Sequence, residues 1–133
     1  LAISLNAADD RTRDFLMPVN KTYNLKSLIS ACRDFPLTNR KMITFEYILI
    51  RGINDSPEHA KKVCRLLSGM RAKINLIPFN ECPGINLKTP DMADILAFQE
   101  ILADHKFTAI IRKSKGRDIS AACGQLKGEE AKI

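Results

Sequence analysis

Short apolar segments alternate with helix-like segments along this chain, and that alternation constrains the fold more than any other feature. The strand-like segments are rich in β-branched and aromatic residues and lie at residues 1–6, 42–50, 72–80 and 107–114. The helix-like segments lie between them, at residues 25–35, 54–67 and 90–105. Strands that alternate with helices predict a parallel sheet with right-handed crossovers. We therefore expect an α/β fold of parallel βαβ units, equal to half of an eight-unit barrel or most of a six-unit one.

The helix signals differ in strength. The helix after residue 54 has the clearest start, because Asp55 or Ser56 can cap it and Pro57 suits a first turn. The segment Pro90–His105 has the apolar spacing of a helix. We expect it to turn five apolar side chains toward the sheet: Met92, Ile95, Leu96, Ile101 and Leu102.

Composition limits the class of protein. A chain of 133 residues fits one domain, residues 1–133. No apolar run approaches the roughly 20 residues of a membrane helix, and the N-terminus does not resemble a signal peptide. The four cysteines show no CxxC spacing, which predicts no metal site and reduced thiols in a cytoplasmic protein. The net charge of +6 permits a nucleic-acid partner without requiring one.

Polar residues follow the predicted strands at the edge where α/β proteins bind ligands. They are Ser4, Asn6, Arg51, Asn54, Asn80, Lys113 and Lys115. Each also has an ordinary explanation, since Asn80, for example, suits a turn. Glu46 lies in the middle of an apolar strand, where burial without a partner is costly. We expect its side chain to face a cation or a polar lumen.

Cys123 lies in the segment "GRDISAACGQL" and is a candidate nucleophile. Four cations precede it closely, namely Arg112, Lys113, Lys115 and Arg117. Nearby cations lower the pKa of a thiol and enrich the reactive thiolate. Free cysteine is also among the most buried residue types, so a core thiol is the alternative. The residues alone leave both readings open.

Five phrases carry a resemblance to a known family. They are "LAISLNAADD", "RDFLMPVNK", "ITFEYILIRGINDSPEHA", "INLIPFNECPG" and "IIRKSKGRDISAACGQL". In this order and spacing, the chain from Leu1 to about Gly128 resembles the C-terminal part of the RlmN/Cfr family of radical-SAM RNA methyltransferases, on its RlmN side.

The resemblance implies a fold, an activity and a set of site residues. The fold would be the C-terminal part of a partial (β/α)6, TIM-like radical-SAM barrel. The parent enzyme would hold S-adenosylmethionine (SAM) and a 4Fe-4S cluster, and would methylate carbon 2 of an adenosine in 23S rRNA and some tRNAs. Cys123 matches the cysteine that carries the methyl group as S-methylcysteine. Ser4, Leu5 and Asn6 match a stretch that lines the SAM site, and Asn80 matches its asparagine.

The chain also departs from the family pattern. Asn6 replaces the usual histidine. The cluster motif, a second catalytic cysteine, the general-base glutamate and the RNA-binding N-terminal domain lie upstream in the family and are missing here. These departures, and a start at Leu1 without methionine, predict a C-terminal fragment that alone binds no cluster and is inactive. A cut barrel exposes strand edges, so we expect the fragment to self-associate through them.

Two hypotheses from other classes remain. A stand-alone RNA- or nucleotide-binding module would use the basic strand ends and would bind RNA with steep salt dependence. A different radical-SAM or thiol redox enzyme would need a low pKa at Cys123 and a resolving partner. Neither hypothesis accounts for five family phrases in register.

Overall fold

The computed structural model describes residues 1–37 and 41–113 of the chain. Its strands are β1 (Ala2–Ser4), β2 (Ile43–Leu49), β3 (Ala72–Pro78) and β4 (Thr108–Ile111). Its α-helices are α1 (Asp10–Leu16), α2 (Leu25–Asp34), α3 (Pro57–Leu66) and α4 (Met92–Asp104), and a short 3-10 helix spans Pro18–Lys21.

The four strands form one parallel sheet in the order β1-β2-β3-β4. Residues from α2, α3 and α4 all pack into one cluster with the same face of this sheet. Consecutive strand order with helices on one face is the arrangement of a barrel segment, whereas a doubly wound sheet carries helices on both faces. The prediction of parallel βαβ units is confirmed. β1 and β4 are the edges of the described sheet, and self-association through them stays a prediction.

Side-chain caps explain where three helices begin. Asp9 accepts a hydrogen bond from the Thr12 N–H at 2.8 Å at the start of α1. Asn24 accepts one from Ser27 at 3.0 Å at the start of α2. Ser56 is the cap of α3, and Pro57 opens that helix as expected. Each cap satisfies an N–H that the first helical turn leaves without a partner.

The main core lies between the sheet and α2, α3 and α4. Alternate residues of β2, including Phe45 and Tyr47, point into it and are fully buried, because successive side chains of a strand face opposite ways. The rings of Tyr47 and Phe98 lie 5.1 Å apart at 41°. This contact joins the centre of the sheet to α4.

Helices α2, α3 and α4 leave the other sheet face uncovered, and we call it the open face. Its residues on β2 and β3 are Thr44, Glu46, Ile48, Lys73, Asn75 and Ile77, which alternate with the buried core positions. Near the carboxyl edge a second apolar cluster covers Ile48, and we call it the loop core. Its buried members are Leu16, Met17, Ile48, Ile50, Phe79 and Leu87.

The prediction of which α4 side chains face the sheet is partly wrong. Ile95 and Leu102 are buried as expected, but Met92 is 57% exposed and Leu96 is 50% exposed. Phe98 supplies the contact instead and is 1% exposed. Each residue turns a helix by about 100°, so Leu96 points away from the stripe formed by Ile95, Phe98 and Leu102.

Membrane insertion has no candidate in the described part of the chain. None of its helices is both long and apolar enough to span a bilayer.

Replacing Phe98 should destabilise the fold far more than replacing Leu96 on the same helix. Phe98→Ala removes a buried ring that contacts Tyr47, and we expect it to lower the free energy of unfolding by about 3–5 kcal/mol. Leu96→Ala is the control and should cost less than about 1 kcal/mol, since that side chain is half exposed. Urea unfolding followed by circular dichroism measures both. Equal losses in the two variants would contradict this assignment of the α4 face.

Candidate functional site

The predicted site residues within the described chain lie at one edge of the sheet. Ser4 ends β1, with Leu5 and Asn6 directly after it, and Asn80 follows β3 by two residues. Because the strands are parallel, both segments reach the carboxyl edge, separated by β2. Cys123 and Lys115 lie outside the described residues. The ligand-binding roles of Ser4, Leu5, Asn6 and Asn80 therefore stay predictions.

Asn6 is fully buried and adopts the left-handed backbone conformation, with φ of 60°. Asparagine tolerates this region better than most residues. Its Oδ1 accepts a hydrogen bond from the Ile48 N–H at 2.8 Å, and its Nδ2 donates to the Met17 sulfur at 3.3 Å. The Asn6 side chain therefore fastens the end of β1 to β2, and both of its polar atoms are in use.

Asn54 makes the densest set of hydrogen bonds at this edge. Its Nδ2 donates to the carbonyl oxygens of Asn6 and Ile48, each at 2.8 Å. Its Oδ1 accepts from the Ile50 N–H at 2.8 Å, and its own carbonyl accepts from the Tyr47 hydroxyl at 2.8 Å. Asn54 is fully buried. It joins the ends of β1 and β2, a role that its place among polar strand-end residues did not reveal.

Arg13 is a buried cation at the end of β1 that sequence reasoning missed. Its Nε donates to the Leu5 carbonyl at 2.8 Å and its Nη2 to the Ser4 carbonyl at 2.9 Å. Its Nη1 donates to Asn20 Oδ1 at 2.8 Å. Asn20 in turn donates to a carboxylate oxygen of Asp14 at 2.6 Å. The sequence signal for burial is weak, namely the spacing of Arg13 three residues before the buried Leu16.

The surroundings of Arg13 balance its charge. Burial lowers the pKa of the guanidinium below its ordinary value, and the carboxylates of Asp10 and Asp14 oppose that shift. Arginine remains protonated in proteins. The Ser4–Leu5 backbone is therefore held by a permanent cation and not by a group that titrates.

Hydrogen bonds hold the loop that carries Asn80 in place. Arg51 Nε donates to the Thr89 carbonyl at 2.9 Å, and Arg51 Nη2 lies 2.9 Å from Asp91 Oδ1. The Thr89 hydroxyl donates to the Phe79 carbonyl, next to Asn80. Asn80 is half-buried, and its side-chain amide has no hydrogen-bond partner within residues 1–37 and 41–113.

A polar row crosses the open face below this edge. Ser4, Glu46 and Asn75 are register partners on β1, β2 and β3. Glu46 is half-buried, and no salt bridge to it occurs among the described residues. It lies on the open face, and the cation or polar lumen expected near it stays a prediction. Asn75 is 7% exposed, and its Oδ1 has no hydrogen-bond partner among residues 1–37 and 41–113.

The described residues do not form a metal site. They contain no group of three or more His, Cys, Asp or Glu side chains placed to hold an ion. Cys32 and Cys64 are buried in the main core, where desolvation raises the pKa of each thiol. Raised pKa values disfavour the thiolate that binds metals. Cys82 is disulfide-bonded, so the expectation of reduced thiols is wrong for this residue.

One cavity among the described residues lies away from the predicted site. It has a volume of about 460 Å³ and is lined by residues including Cys32, Arg33, Ile43 and Arg71. Ile43 begins β2 and Arg71 precedes β3, so the cavity lies at the amino edge of the sheet. Ligands of parallel sheets bind at the opposite edge, and we assign this cavity no role.

Removing the Asn54 side chain should destabilise the fold strongly. Asn54→Ala leaves two carbonyls and one N–H without partners in a buried place, which costs about 3 kcal/mol in free energy of unfolding. Asn86→Ala in an exposed loop position is the matched control and should change stability by less than about 0.5 kcal/mol. Chemical denaturation measures both. A small, equal loss in the two variants would show that Asn54 does not hold β1 to β2.

Acid should weaken the cap that Asp9 provides to α1. Burial alone would raise the pKa of Asp9, but hydrogen bonds from Thr12 and the charge of Lys62 outweigh it and hold the pKa below the ordinary 3.8. Because the folded state binds this proton less tightly, the stabilisation is complete above the ordinary pKa and is lost as the pH falls through the folded value. The wild type should exceed Asp9→Asn in stability at neutral pH, and the difference should shrink below about pH 4. A difference that stays constant during acid titration would contradict this.

Comparison with known proteins gives consistent relatives. No family model matches the chain. A protein named dual-specificity RNA methyltransferase RlmN from Syntrophus aciditrophicus is 60% identical over 129 residues, which cover 97% of this chain and 37% of that protein. The protein of the same name from Desulfosudis oleivorans is 56% identical over 129 residues, which cover 97% of this chain and 35% of that protein.

Solved structures agree with these relatives. A radical SAM methyltransferase from Sphaerobacter thermophilus matches with a TM-score of 0.85 and 43% identity, over 96% of this chain and 37% of the other. A domain of pyruvate-formate lyase-activating enzyme from Bacteroides vulgatus matches with a TM-score of 0.66 and 24% identity, over 84% of this chain and 66% of the other. The second likeness concerns the fold alone.

The chain thus spans a little over a third of the length of the curated relatives it matches. Their identity extends along almost the whole of its sequence, so this chain corresponds to a part of the proteins named RlmN.

Proposed function

We propose that this chain is the carboxyl-terminal part of a cytoplasmic radical-SAM methyltransferase that methylates carbon 2 of an adenosine in 23S rRNA and in some tRNAs. The observation that carries the proposal is the 60% identity to a named RNA methyltransferase over 97% of the chain. The sheet adds support, because its carboxyl edge brings together the two segments expected to bind SAM.

SAM fits the residues at this edge. Ser4, Leu5, Asn6 and Asn80 are the proposed contacts, and the Asn80 amide has no partner in the described chain. Asn6 is bonded on both side-chain atoms, so we propose that it shapes the site more than it touches the ligand. Bound SAM supplies the methyl group and, in a second molecule, the source of a carbon radical. Arg13 and Asn54 keep the end of β1 in place for that ligand.

A 4Fe-4S cluster does not fit the described residues. Such clusters are held by cysteine thiolates, but Cys32 and Cys64 are buried in the main core and Cys82 is disulfide-bonded. We assign no step of the reaction to a cluster in this chain. Its ligands would belong to another part of the protein, and the chain alone would be inactive.

Cys123 is proposed to carry the methyl group as S-methylcysteine. Carbon 2 of adenine is a poor nucleophile, so a methyl group must be delivered to it as a carbon radical from a tethered carrier. A thiol must lose its proton before it accepts a methyl group. Arg112 and Lys113 are exposed directly after β4 and bring positive charge to the segment that leads to Cys123. Positive charge favours the thiolate.

A single mass measurement tests the role of Cys123. The intact protein is expressed with iron–sulfur assembly proteins, digested, and the Cys123 peptide weighed. We expect a peptide one methylene heavier, with the modification on the sulfur, and we expect Cys123→Ala to lose methyl transfer to RNA by at least about 10³-fold. Cys32→Ala is the matched control and should keep the activity of the folded protein. An unmodified Cys123 thiol in active protein would overturn the proposed role.

A further inference from the structure

Asn75 is a buried residue whose side-chain Oδ1 has no hydrogen-bond partner within the described chain. It lies in the middle of β3 and is 7% exposed, and its Oδ1 is the buried side-chain atom that lacks a partner in the described chain. Native proteins pair nearly all such atoms, because an unpaired buried acceptor costs folding free energy. An apolar side chain of similar size would avoid that cost. The position therefore carries a hydrogen-bond acceptor that the described residues do not use.

The Asn75 amide belongs to the open face and not to the main core. Its β3 neighbours Ile74 and Leu76 are fully buried in the main core, so Asn75 points the other way. In the register it pairs with Glu46 on β2, which pairs with Ser4 on β1. Ser4 is one of the residues proposed to contact SAM. Asn75 thus lies in the same cross-strand row as part of that site.

Apolar residues lie beside Asn75 on the same face. Ile77 is two residues further along β3, and Ile110 is the register partner of Asn75 on β4. Both are only partly buried. This arrangement suits a flat ring. The Asn75 amide can bond the polar atoms along one edge of such a ring, and the two isoleucines can contact its apolar faces.

We infer that Asn75 recognises the adenine ring of SAM, an inference that rests on the proposed function. Its Oδ1 accepts from the exocyclic amino group and its Nδ2 donates to N7, the pairing by which asparagine reads adenine. Asn75 is then a specificity-determining residue for the adenosyl ligand. The ligand supplies the donor that the buried Oδ1 lacks.

Deamination of the ring provides a specific probe. S-inosylhomocysteine differs from S-adenosylhomocysteine by a carbonyl in place of the exocyclic amino group. Asn75 Oδ1 would then face an acceptor, and rotating the amide does not help, because Oδ1 would face N7, which is also an acceptor. Isothermal titration of the intact protein with each compound measures the preference. The wild type should bind the adenosyl compound roughly tenfold more tightly or better.

Substitution of Asn75 separates recognition from a structural role. In Asn75→Leu the ratio of the affinities for the adenosyl and inosyl compounds should fall to about one. The melting temperature should rise by a few degrees, because an apolar group of similar size replaces a buried amide whose Oδ1 lacks a partner. Thr44→Val is the matched control, since Thr44 lies on the same face one row away. It should keep the preference for the adenosyl compound.

Each other outcome overturns the inference. Equal binding of the two compounds by the wild type, or an unchanged preference in Asn75→Leu, would show that Asn75 does not read adenine, while SAM binding and the proposed function would stand. A lower melting temperature in Asn75→Leu with the preference kept would assign Asn75 a structural role. Failure of the wild type to bind either compound would remove the proposed function and this inference together.

Discussion

The hydrogen bonds of the Asn54 side chain are the constraint on which the candidate site depends. One amide bonds the Asn6 carbonyl, the Ile48 carbonyl and the Ile50 N–H, all in a fully buried place. The left-handed turn at Asn6 would otherwise leave its backbone without a partner at the end of a strand of three residues. Arg13 acts from the other side, on the carbonyls of Ser4 and Leu5. A short edge strand is thus held in one conformation where a ligand is expected.

The parallel sheet could be predicted from the sequence because its determinants are local. Strand-like and helix-like patterns alternate, and caps such as Ser56 followed by Pro57 mark where a helix begins. The side of α4 that packs on the sheet was harder to predict. Its apolar residues surround much of the helix, so periodicity alone could not tell that Phe98 faces the sheet while Leu96 faces away. That choice depends on the position of Tyr47, a distant residue.

The site was predictable only in part. Resemblance predicted Ser4, Leu5, Asn6 and Asn80 as site residues, and the structure brings their two segments to one edge. Arg13 and Asn75 were missed for physical reasons. Arg13 resembles any charged residue of a surface helix until the carbonyls that it bonds are known. Asn75 interrupts an apolar strand, and its missing partner becomes evident only when every neighbouring atom has a position.

The loop core is packed separately from the main core. Leu16, Ile50, Phe79 and Leu87 come from connections after β1, β2 and β3, and they pack with one another as a cluster distinct from the main core under the helices. The connections that carry Asn6 and Asn80 therefore pack in the same apolar cluster. A substitution that weakens the packing of one connection would also weaken the packing of the others. The helix-covered face of the sheet would keep its packing. Ligand affinity at this edge therefore depends on packing that the main core does not supply.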